Sequence, residues 1–387
     1  MVSSNKKKII IIGPSYPYRG GNSLFVTKTY EVLQNDFNVK IFNYKLLYPS
    51  LLFPGTTQFD KSEQKVFKVP SERIVNSLSP VNWFIVADRI KDEKPDLIIF
   101  DWWHPFFGFC HGAISFLLKK KFGKKFLFIT ENVVSHEANK IDKILTKIGI
   151  GNASMFLALS DKVVKELHRY SQNKKIYRSE LPIYDCYEAN DSEAVSILKS
   201  DLNIKEDYKV LLFFGYVRKY KGLDILLESF PGILEKQPDA FLLIVGEFYD
   251  NPDLYLNLIK KCNIANRVKI INEFVPNEEV YKYYQVSDVV VLPYKSATQS
   301  GILNIAYGFN KPVIVTDVGG LAEFVVDGKT GIIIEPNSTK EIVEGYDKLL
   351  NLQKKINFVE NIRKHNTQNS FNKLPAVINQ IIDEIEE

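Results

Sequence analysis

Two cations lie at a fixed spacing in a loop between an apolar run and a helical pattern. Residues 210–214 read as a buried strand, and residues 223–230 repeat apolar side chains at the period of a helix. The chain turns at Gly215 and then presents Arg218 and Lys221 three residues apart. Backbone N–H groups at the start of a helix, together with cations, bind anions with several oxygens, most simply a diphosphate. A solvated basic turn is the alternative for this loop taken alone.

Two further turns could hold an anion or let a ligand approach the backbone closely. Gly20 and Gly21 follow the first apolar run and precede a helix. Ser300 and Gly301 begin another helical pattern, whose first N–H groups have no partner within the helix. A simple strand-to-helix connection is the alternative for each turn. Neither turn matches the G-x-G-x-x-G fingerprint, which argues against a nicotinamide dinucleotide.

Loops that could hold a flat base or a sugar follow several other apolar runs. Trp102 and Trp103 suit stacking on sugar rings, and His104 suits a hydrogen bond to a hydroxyl. Most lone histidines are surface or core residues, so the place of His104 after a strand is what favours a functional role. Glu131 stands in a polar cluster after the next run. Backbone groups suited to a base are predicted at Gly246, Glu247, Phe274 and Val275.

Both halves of the 387-residue chain alternate short apolar runs with helical patterns. Unbroken Ile, Val and Leu runs are typical of strands covered on both faces, as in parallel sheets. The sequence therefore predicts an α/β protein with two doubly wound domains. We expect the first domain at residues 1–188, the second at residues 189–369, and a final helix at residues 370–387 that crosses back onto the first. If the domains face each other across a cleft, the candidate loops line it, because ligands bind at the carboxyl ends of parallel strands.

Composition indicates a folded protein without an obvious membrane segment. Hydrophobic residues make up 45% of the chain and charged residues 25%. The three cysteines are widely spaced and match neither a metal pattern nor a disulfide framework, which favours a reducing cytoplasm. No apolar stretch reaches the ~18 residues that a membrane span needs.

The charge of the chain is unevenly distributed. Residues 1–190 carry 28 Lys and Arg against 18 Asp and Glu, a net charge of +10, and the remainder carries −6. By charge alone, the basic half would suit nucleic acid or an acidic lipid surface. Residues 116–125 interleave apolar and basic side chains as interfacial segments do, although a helix with a solvated basic end is the alternative. We expect peripheral contact with anionic lipid at the inner face of the cell membrane, and no nucleic-acid partner.

Motifs spread over nearly the whole chain point to one family. They are Gly20-Gly21, the loop from Gly215 to Gly222, Pro293-Tyr294, Lys311-Pro312-Val313-Ile314, Gly319-Gly320 with Glu323, and Asp327-Gly328-Lys329-Thr330-Gly331. With these motifs the chain resembles the group 1 retaining glycosyltransferases of the GT-B fold, most securely over residues 210–335. The resemblance implies two Rossmann-like domains and transfer of a sugar from a nucleoside-diphosphate-sugar with retention. It also implies that neither a metal nor a cofactor is required.

The resemblance further implies roles for individual residues. Arg218 and Lys221 would contact the donor diphosphate, and Ser300 and Gly301 would offer it N–H groups. His104 would orient a hydroxyl of the reacting sugar. The resemblance also places Gly20, Gly21, Phe274 and Val275 at the donor. From their positions after strands, we further expect Gly215, Gly246 and Glu247 to bind the donor, and Trp102, Trp103 and Glu131 to lie on the acceptor side.

One position pair departs from the family pattern. Ala297 and Ile305 stand where relatives normally carry two glutamates before the Lys-Pro-Val-Ile segment. Neither side chain can bind a hydroxyl through a carboxylate, and Gln299 or Glu323 is the candidate replacement. The departure places this chain with a subset of the family that lacks the glutamate pair.

The expected reaction needs no carboxylate base. The cations would stabilise the leaving diphosphate, and the departing phosphate would take the acceptor proton. We expect a glycan or lipid-linked acceptor, and a role in cell-envelope polysaccharide or glycolipid synthesis. One alternative is a nucleotide-sugar epimerase of the same fold, which would act without an acceptor. The other is a catalytically inactive scaffold, which the missing glutamates would explain.

Overall fold

The chain folds into two compact α/β units in a computed structural model that describes residues 6–53, 55–62, 68–134, 140–187 and 191–387. Unit 1 comprises Met1–Asp60, Lys65–Pro182 and Ser370–Glu387, and unit 2 comprises Lys61–Gln64 and Ile183–Asn369. The boundary after Pro182 precedes the one predicted after residue 188, which falls among residues 188–190, outside the described residues.

Unit 1 is built on a parallel sheet whose described strands follow the order β3-β2-β1-β4-β5-β6-β7. The apolar runs give buried central strands, and β4 and β5 are buried along their whole length. The strands are β1 (Lys8–Ile12), β2 (Asn38–Leu46), β3 (Ser71–Asn76), β4 (Leu97–Trp102), β5 (Phe126–Thr130), β6 (Met155–Ala158) and β7 (Lys175–Arg178). The helices are α1 (Gly21–Leu33), α2 (Pro80–Glu93), α3 (Gly108–Phe122), α4 (Lys140–Ile150), α5 (Asp161–Tyr170) and, at the end of the chain, α13 (Leu374–Glu386).

The two faces of the unit 1 sheet are covered by different helices. Helices α2, α3, α4 and α5 contribute buried side chains to the core on one face. Helices α1 and α13 contribute to the core on the other face, where Phe25 of α1 packs in the same cluster as Leu374 and Ile378 of α13. The final segment therefore belongs to unit 1, although the preceding residues belong to unit 2.

Unit 2 repeats the architecture with the described strands in the order β10-β9-β8-β11-β12-β13, all parallel. The strands are β8 (Lys209–Phe214), β9 (Ala240–Val245), β10 (Val268–Ile271), β11 (Val289–Leu292), β12 (Val313–Thr316) and β13 (Gly331–Ile334). The helices are α6 (Ser192–Asp201), α7 (Leu223–Lys236), α8 (Pro252–Lys261), α9 (Val280–Val286), α10 (Gly301–Gly308), α11 (Thr339–Gln353) and α12 (Phe358–Thr367).

Each sheet has one point at which the strand order changes direction. In unit 1 it lies between β1 and β4, and in unit 2 between β8 and β11. The loops leaving the carboxyl ends of these strand pairs diverge and leave a crevice in doubly wound folds. The glycine-bearing loops singled out in the sequence leave β1 and β8. None of the helices that the structure describes has the length and apolar character needed to cross a bilayer.

Candidate nucleotide-sugar site

The loop after β8 is held against its neighbours by glycines that no other residue could replace without strain. Gly222 adopts a φ of +70°, and a Cβ atom there would lie 1.9 Å from the carbonyl oxygen of Pro293. Gly246, after β9, has a φ of +143°, and its Cβ would lie 2.2 Å from the oxygen of Gly215. Positive φ and backbone contact both require glycine at these two positions. The loops after β8, β9 and β11 are therefore packed backbone to backbone.

Lys221 is the buried cation of this loop. Its side chain is only 7% exposed, and its Nζ atom lies 5.4 Å from the centre of the Tyr294 ring. Burial, and then the nearby positive charge of Arg218, lower the pKa of Lys221 to about 7. No carboxylate among the described residues pairs with its ammonium group. A buried cation without a carboxylate partner is suited to an anionic ligand.

Arg218 supplies a second, exposed cation beside the first. Its guanidinium lies 4.9 Å from the centre of the Tyr249 ring. The structure therefore brings the two predicted cations into one electrostatic environment, since Arg218 itself depresses the pKa of Lys221. Arg218 can grip two anionic oxygens in a planar fork, whereas Lys221 acts as a point charge.

The start of α10 faces the same loop. Ser300 is the N-cap residue and makes no side-chain capping bond, but its Oγ atom lies 3.3 Å from the Tyr294 hydroxyl. Ile302 in the first turn packs against Gly215, where a Cβ atom would lie 3.0 Å from the Ile302 Cδ1 atom. The first N–H groups of a helix have no intrahelical acceptor and carry a partial positive charge. We call Arg218, Lys221 and the start of α10 at Ser300 and Gly301 the anion cradle.

Aromatic rings lie side by side at the carboxyl edge of the same sheet. Tyr216 stacks on Tyr249 with centroids 4.6 Å apart, and its ring lies 6.4 Å from that of Phe274 at an angle of 24°. Sequence reasoning predicted Phe274 here but missed Tyr216 and Tyr249, and it noted Tyr294 as part of a motif without giving it a role in the site. Tyr216 follows β8 at the switch point and Tyr249 follows the neighbouring strand β9, and these positions are the signal that could have identified them.

The other predicted donor residues are distributed unevenly. Glu247 is buried, and its backbone oxygen accepts a hydrogen bond from Val217, while Val275 is a buried core side chain. Glu323 is exposed in a short 3₁₀ turn after β12. The Gln299 Oε1 atom is buried and has no hydrogen-bond partner among the described residues, although it directly precedes the α10 start.

The departure from the glutamate pattern is also visible in unit 2. Ala297 is 1% exposed and Ile305 is 7% exposed, so both positions are packed as apolar residues. Gln299 lies between them in sequence. Among the described residues from 297 to 305, its side chain has the buried oxygen without a hydrogen-bond partner.

In unit 1, the glycine pair lies where β1 leads into α1. Gly20 is the N-cap residue with a φ of 102°, and a Cβ atom added to Gly21 would meet nothing within 4 Å. Packing within the protein therefore does not require a glycine at position 21. Open space beside a helix start at the switch point is consistent with a ligand approaching the backbone.

The two tryptophans and His104 lie at and directly after the end of β4, but they do not form a common ligand surface. Trp102 is fully buried, donates its indole N–H to the Val133 oxygen, and packs on Gly149, so it cannot stack on a sugar ring as predicted. Trp103 is 9% exposed and donates to the Tyr48 hydroxyl. Burying a large apolar ring in the core is favourable, so rings at the end of a buried strand pack inward and are not available to bind sugars.

His104 is half-buried, and its Nδ1 atom accepts a hydrogen bond from the Phe106 N–H at 3.1 Å. This bond fixes a neutral ring with its proton on Nε2, because an acceptor nitrogen cannot carry the proton. The ring can thus donate to an acceptor atom.

Two carboxyl groups that are buried close together lie at the ends of adjacent strands of unit 1. Asp101 on β4 is 1% exposed, and neither Oδ atom has a hydrogen-bond partner among the described residues. Glu131, after β5, accepts a bond of 2.9 Å from the Asn22 side chain in the first turn of α1. Burial raises the pKa of Glu131 to about 7, and burial together with the Glu131 charge raises the pKa of Asp101 well above its usual range. Sequence reasoning selected Glu131 but not Asp101.

The structure thus offers an anion cradle in unit 2 and a polar group around Glu131 in unit 1. Among the residues that the structure describes, no group of three His, Cys, Asp or Glu side chains is arranged to hold a metal ion. Comparison with known proteins identifies the part of the chain that holds the anion cradle. The family model for glycosyl transferases group 1 matches residues 195–366, which include the whole anion cradle. Residues 195–366 are therefore a group 1 glycosyltransferase domain.

The first curated relatives resemble only part of this chain. D-inositol 3-phosphate glycosyltransferase of Corynebacterium aurimucosum is 27% identical over 171 residues, which cover 43% of this chain and 40% of the relative. The matches cover between 36% and 54% of the first three curated relatives, so the chain spans about half of their length or less.

Solved structures extend the likeness to the whole fold. Sucrose-phosphate synthase from Thermosynechococcus elongatus has a TM-score of 0.72 at 16% identity, covering 98% of this chain and 99% of that one. Anabaena HepE in complex with UDP has a TM-score of 0.72 at 16% identity, covering 98% and 100%. At these identities the likeness shows the fold alone. The two parallel-sheet units confirm the predicted GT-B fold class.

Proposed function

We propose that this chain transfers a sugar from a nucleoside-diphosphate-sugar to a glycan or lipid-linked acceptor, with retention and without a metal. The observation that carries the proposal is Lys221, a cation that is 93% buried and has no carboxylate partner among the described residues. Burying a charged ammonium group costs free energy, and this cost is why the pKa of Lys221 is lowered. A diphosphate would supply the missing negative charge.

The chemistry follows from where charge develops. Breaking the bond between the anomeric carbon and the phosphate oxygen leaves negative charge on the diphosphate and positive charge on the sugar. The negative charge on the diphosphate would be stabilised by Arg218, Lys221 and the N–H groups at the start of α10, which are already in position before the bond breaks. The departing phosphate oxygen would take the proton of the acceptor hydroxyl, which then attacks the same face of the sugar. This route requires no glutamate at position 297 or 305.

The two cations would also supply the charge that a divalent metal provides in other transferases. Two cations and a helix start offset the charge of a diphosphate. We therefore propose metal-independent transfer, and full activity in the presence of excess chelator is the expected result.

Complexes of the solved neighbours support a choice of the base to test first. HepE was solved with UDP, with UDP and glucose, and with UDP-glucose. We propose a uridine nucleotide as the first donor class to test. The aromatic rings of Tyr216, Tyr249 and Phe274 at the adjacent strand ends offer a flat apolar surface beside the cradle.

The test is calorimetric titration of UDP and UDP-glucose, without metal, into wild type and two lysine variants. Lys221→Ala should weaken binding by about 2 kcal/mol, or about thirtyfold, because it removes a buried charge-assisted contact. Lys219→Ala is the matched control, since it removes an exposed lysine from the same loop. If wild type binds no nucleoside diphosphate, or if both variants bind equally well, the proposed site is wrong.

Turnover separates the proposal from its alternatives. An epimerase would change the nucleotide-sugar without an acceptor, whereas a transferase would leave it intact until an acceptor is added. The anomeric configuration of the product, read by NMR, decides between retention and inversion. A scaffold would bind no donor at all.

A further inference from the structure

Helix α4 carries an unusual repeated pair. Lys140-Ile141, Lys143-Ile144 and Lys147-Ile148 place a lysine directly before an isoleucine on each successive turn. The isoleucine side chains are 65%, 57% and 38% exposed. Spacings of three and four residues align them in one stripe, with the lysines in an adjacent stripe. Apolar and basic stripes side by side are typical of helices that lie in a membrane interface.

Helix α3 continues this apolar surface. Phe109 and Phe116 are 57% and 69% exposed, two turns apart. The two helices are in close contact, because a Cβ atom at Gly108 would lie 2.3 Å from the Leu145 oxygen and one at Gly112 would lie 2.7 Å from the Ile148 oxygen. The exposed phenylalanines and isoleucines are therefore neighbours on one surface. Only part of the predicted interfacial segment 116–125 belongs to this surface, because Leu118 and Phe122 are buried.

Helix α2 adds a third group. Val81, Phe84 and Ile85 are 71%, 59% and 62% exposed in the first half of the helix, which packs beside α3. All three helices cover the same face of the unit 1 sheet. Each connects one parallel strand to another, so their amino termini lie at the carboxyl edge, where Gly20 and Glu131 also lie. We call the exposed side chains of α2, α3 and α4 the three-helix face.

Unpaired lysines adjoin the apolar side chains. Lys119, Lys120 and Lys121 end α3, and all are exposed. Together with Lys140, Lys143 and Lys147 they form no ion pair with a carboxylate of the described chain. An interface with another folded protein would leave such charges unpaired unless the partner were acidic, whereas anionic headgroups can meet each of them separately.

We infer that the three-helix face docks on an anionic lipid surface, with its phenylalanines and isoleucines entering the headgroup boundary and its lysines contacting lipid phosphates. Eight large apolar side chains exposed on three adjacent helices exceed what scattered surface residues provide. The inference goes beyond the proposed function, because docking requires neither donor nor acceptor. It would bring the carboxyl edge of the unit 1 sheet near a lipid-linked acceptor.

Vesicle flotation of the whole chain tests the docking without nucleotide. The vesicles are phosphatidylcholine alone or an equal mixture with phosphatidylglycerol. Wild type should bind the mixed vesicles, bind phosphatidylcholine at least about tenfold more weakly, and lose part of its affinity at high salt. The double variant Phe116→Glu with Ile144→Glu should lose at least about tenfold in affinity for the mixed vesicles. Lys143→Glu with Lys147→Glu should lose a similar factor.

Matched controls use unit 2. Leu254→Glu with Ile197→Glu introduces the same charges at side chains that are 59% and 54% exposed, and Lys260→Glu with Lys261→Glu reverses two exposed lysines of α8. Both should bind like wild type, and nucleotide titration should show that every variant keeps its donor site.

Three outcomes overturn the inference. One is that wild type binds no anionic vesicle. Another is that the phenylalanine and isoleucine variant binds as well as wild type, which would mean that apolar contact plays no part. The third is that light scattering shows a wild-type dimer that the same variant dissociates, which would assign the face to a second copy of the chain.

Discussion

The Nζ atom of Lys221 lies 5.4 Å from the centre of the Tyr294 ring, and the hydroxyl of the same tyrosine lies 3.3 Å from Ser300 Oγ. Tyr294 thus connects the buried cation after β8 to the start of α10. Burial raises the pKa of the Tyr294 hydroxyl, so it stays neutral and can hydrogen-bond to the N-cap serine. The tyrosine accordingly positions both parts of the anion cradle.

Donor binding should depend on pH through Lys221. In the free protein its pKa is lowered to about 7 by burial and by Arg218, and a bound diphosphate would raise it again. The ligand therefore favours the charged form. Affinity for UDP-glucose should be constant below pH 7 and fall by up to about tenfold per pH unit above it, until the pKa of the complex is reached. Titration at several pH values, in buffers of different ionisation enthalpy, measures the accompanying proton uptake.

Two variants provide the control. Lys221→Arg keeps its charge throughout this range and should remove the pH dependence. Lys219→Ala should retain the wild-type profile. A flat wild-type profile up to pH 9 would show that Lys221 is fully charged in the free protein.

Two glycine-to-alanine substitutions should differ in their effect on stability. Gly222→Ala forces a Cβ atom to 1.9 Å from a backbone oxygen at a φ of +70°, so it should cost about 2 kcal/mol or more in stability. Gly21→Ala meets no protein atom within 4 Å and should leave thermal unfolding unchanged. If a donor approaches the backbone at Gly21, that variant should nevertheless lose turnover. Equal turnover in Gly21→Ala and wild type would show that Gly21 is not part of the donor site.

The sequence was sufficient for the parallel strands but not for the edges of the first sheet. Apolar runs without alternation identified the central strands because both of their faces are covered. Strands β3 and β7 carry no unbroken apolar run, because each lies at a sheet edge and is only partly buried. In Ser71–Asn76 and Lys175–Arg178, polar and charged side chains are tolerated, so the apolar signal disappears.

The candidate site was predictable where backbone chemistry sets the residue type. Gly215 and Gly222 are dictated by local geometry, and the cations between them follow from the ligand they would bind. Trp102 was misread because an aromatic ring at a strand end has the same sequence signature whether it faces a ligand or the core. Asp101 was missed because its burial without a partner is visible only in three dimensions.

Glu131→Gln should stabilise the protein in a pH-dependent way. Because burial raises the folded-state pKa of Glu131 to about 7, the folded protein holds a proton that the unfolded chain releases above its ordinary pKa. Stability therefore decreases as pH rises from about 4 to 7. Glutamine keeps an acceptor for Asn22 but cannot ionise, so it should gain up to about 3 kcal/mol at pH 8 and almost nothing at pH 4. Thermal unfolding at both pH values measures the difference.

The same variant reports on function. If Glu131 contacts the acceptor, Glu131→Gln should lower turnover while it raises stability, as expected where a functional group is retained at a cost to the fold. Asn22→Ala removes the hydrogen-bond donor without changing the carboxyl group and serves as the comparison. If the difference in stability between Glu131→Gln and wild type were the same at pH 4 and pH 8, the pKa of Glu131 would not be raised in the folded protein.

Gln299 should take over part of the donor contact that the absent glutamates would make. Its Oε1 atom is buried without a described partner, beside the start of α10, so a sugar hydroxyl could satisfy it. Gln299→Ala removes a buried unsatisfied oxygen and should not destabilise the fold. It should nevertheless reduce kcat/KM by about tenfold or more, because the hydroxyl loses its acceptor. Glu323→Ala, at an exposed position, should change kcat/KM by less than about twofold. If Glu323→Ala lowered kcat/KM more than Gln299→Ala did, Glu323 would be the replacement for the absent glutamates, and Gln299 would have no role in donor binding.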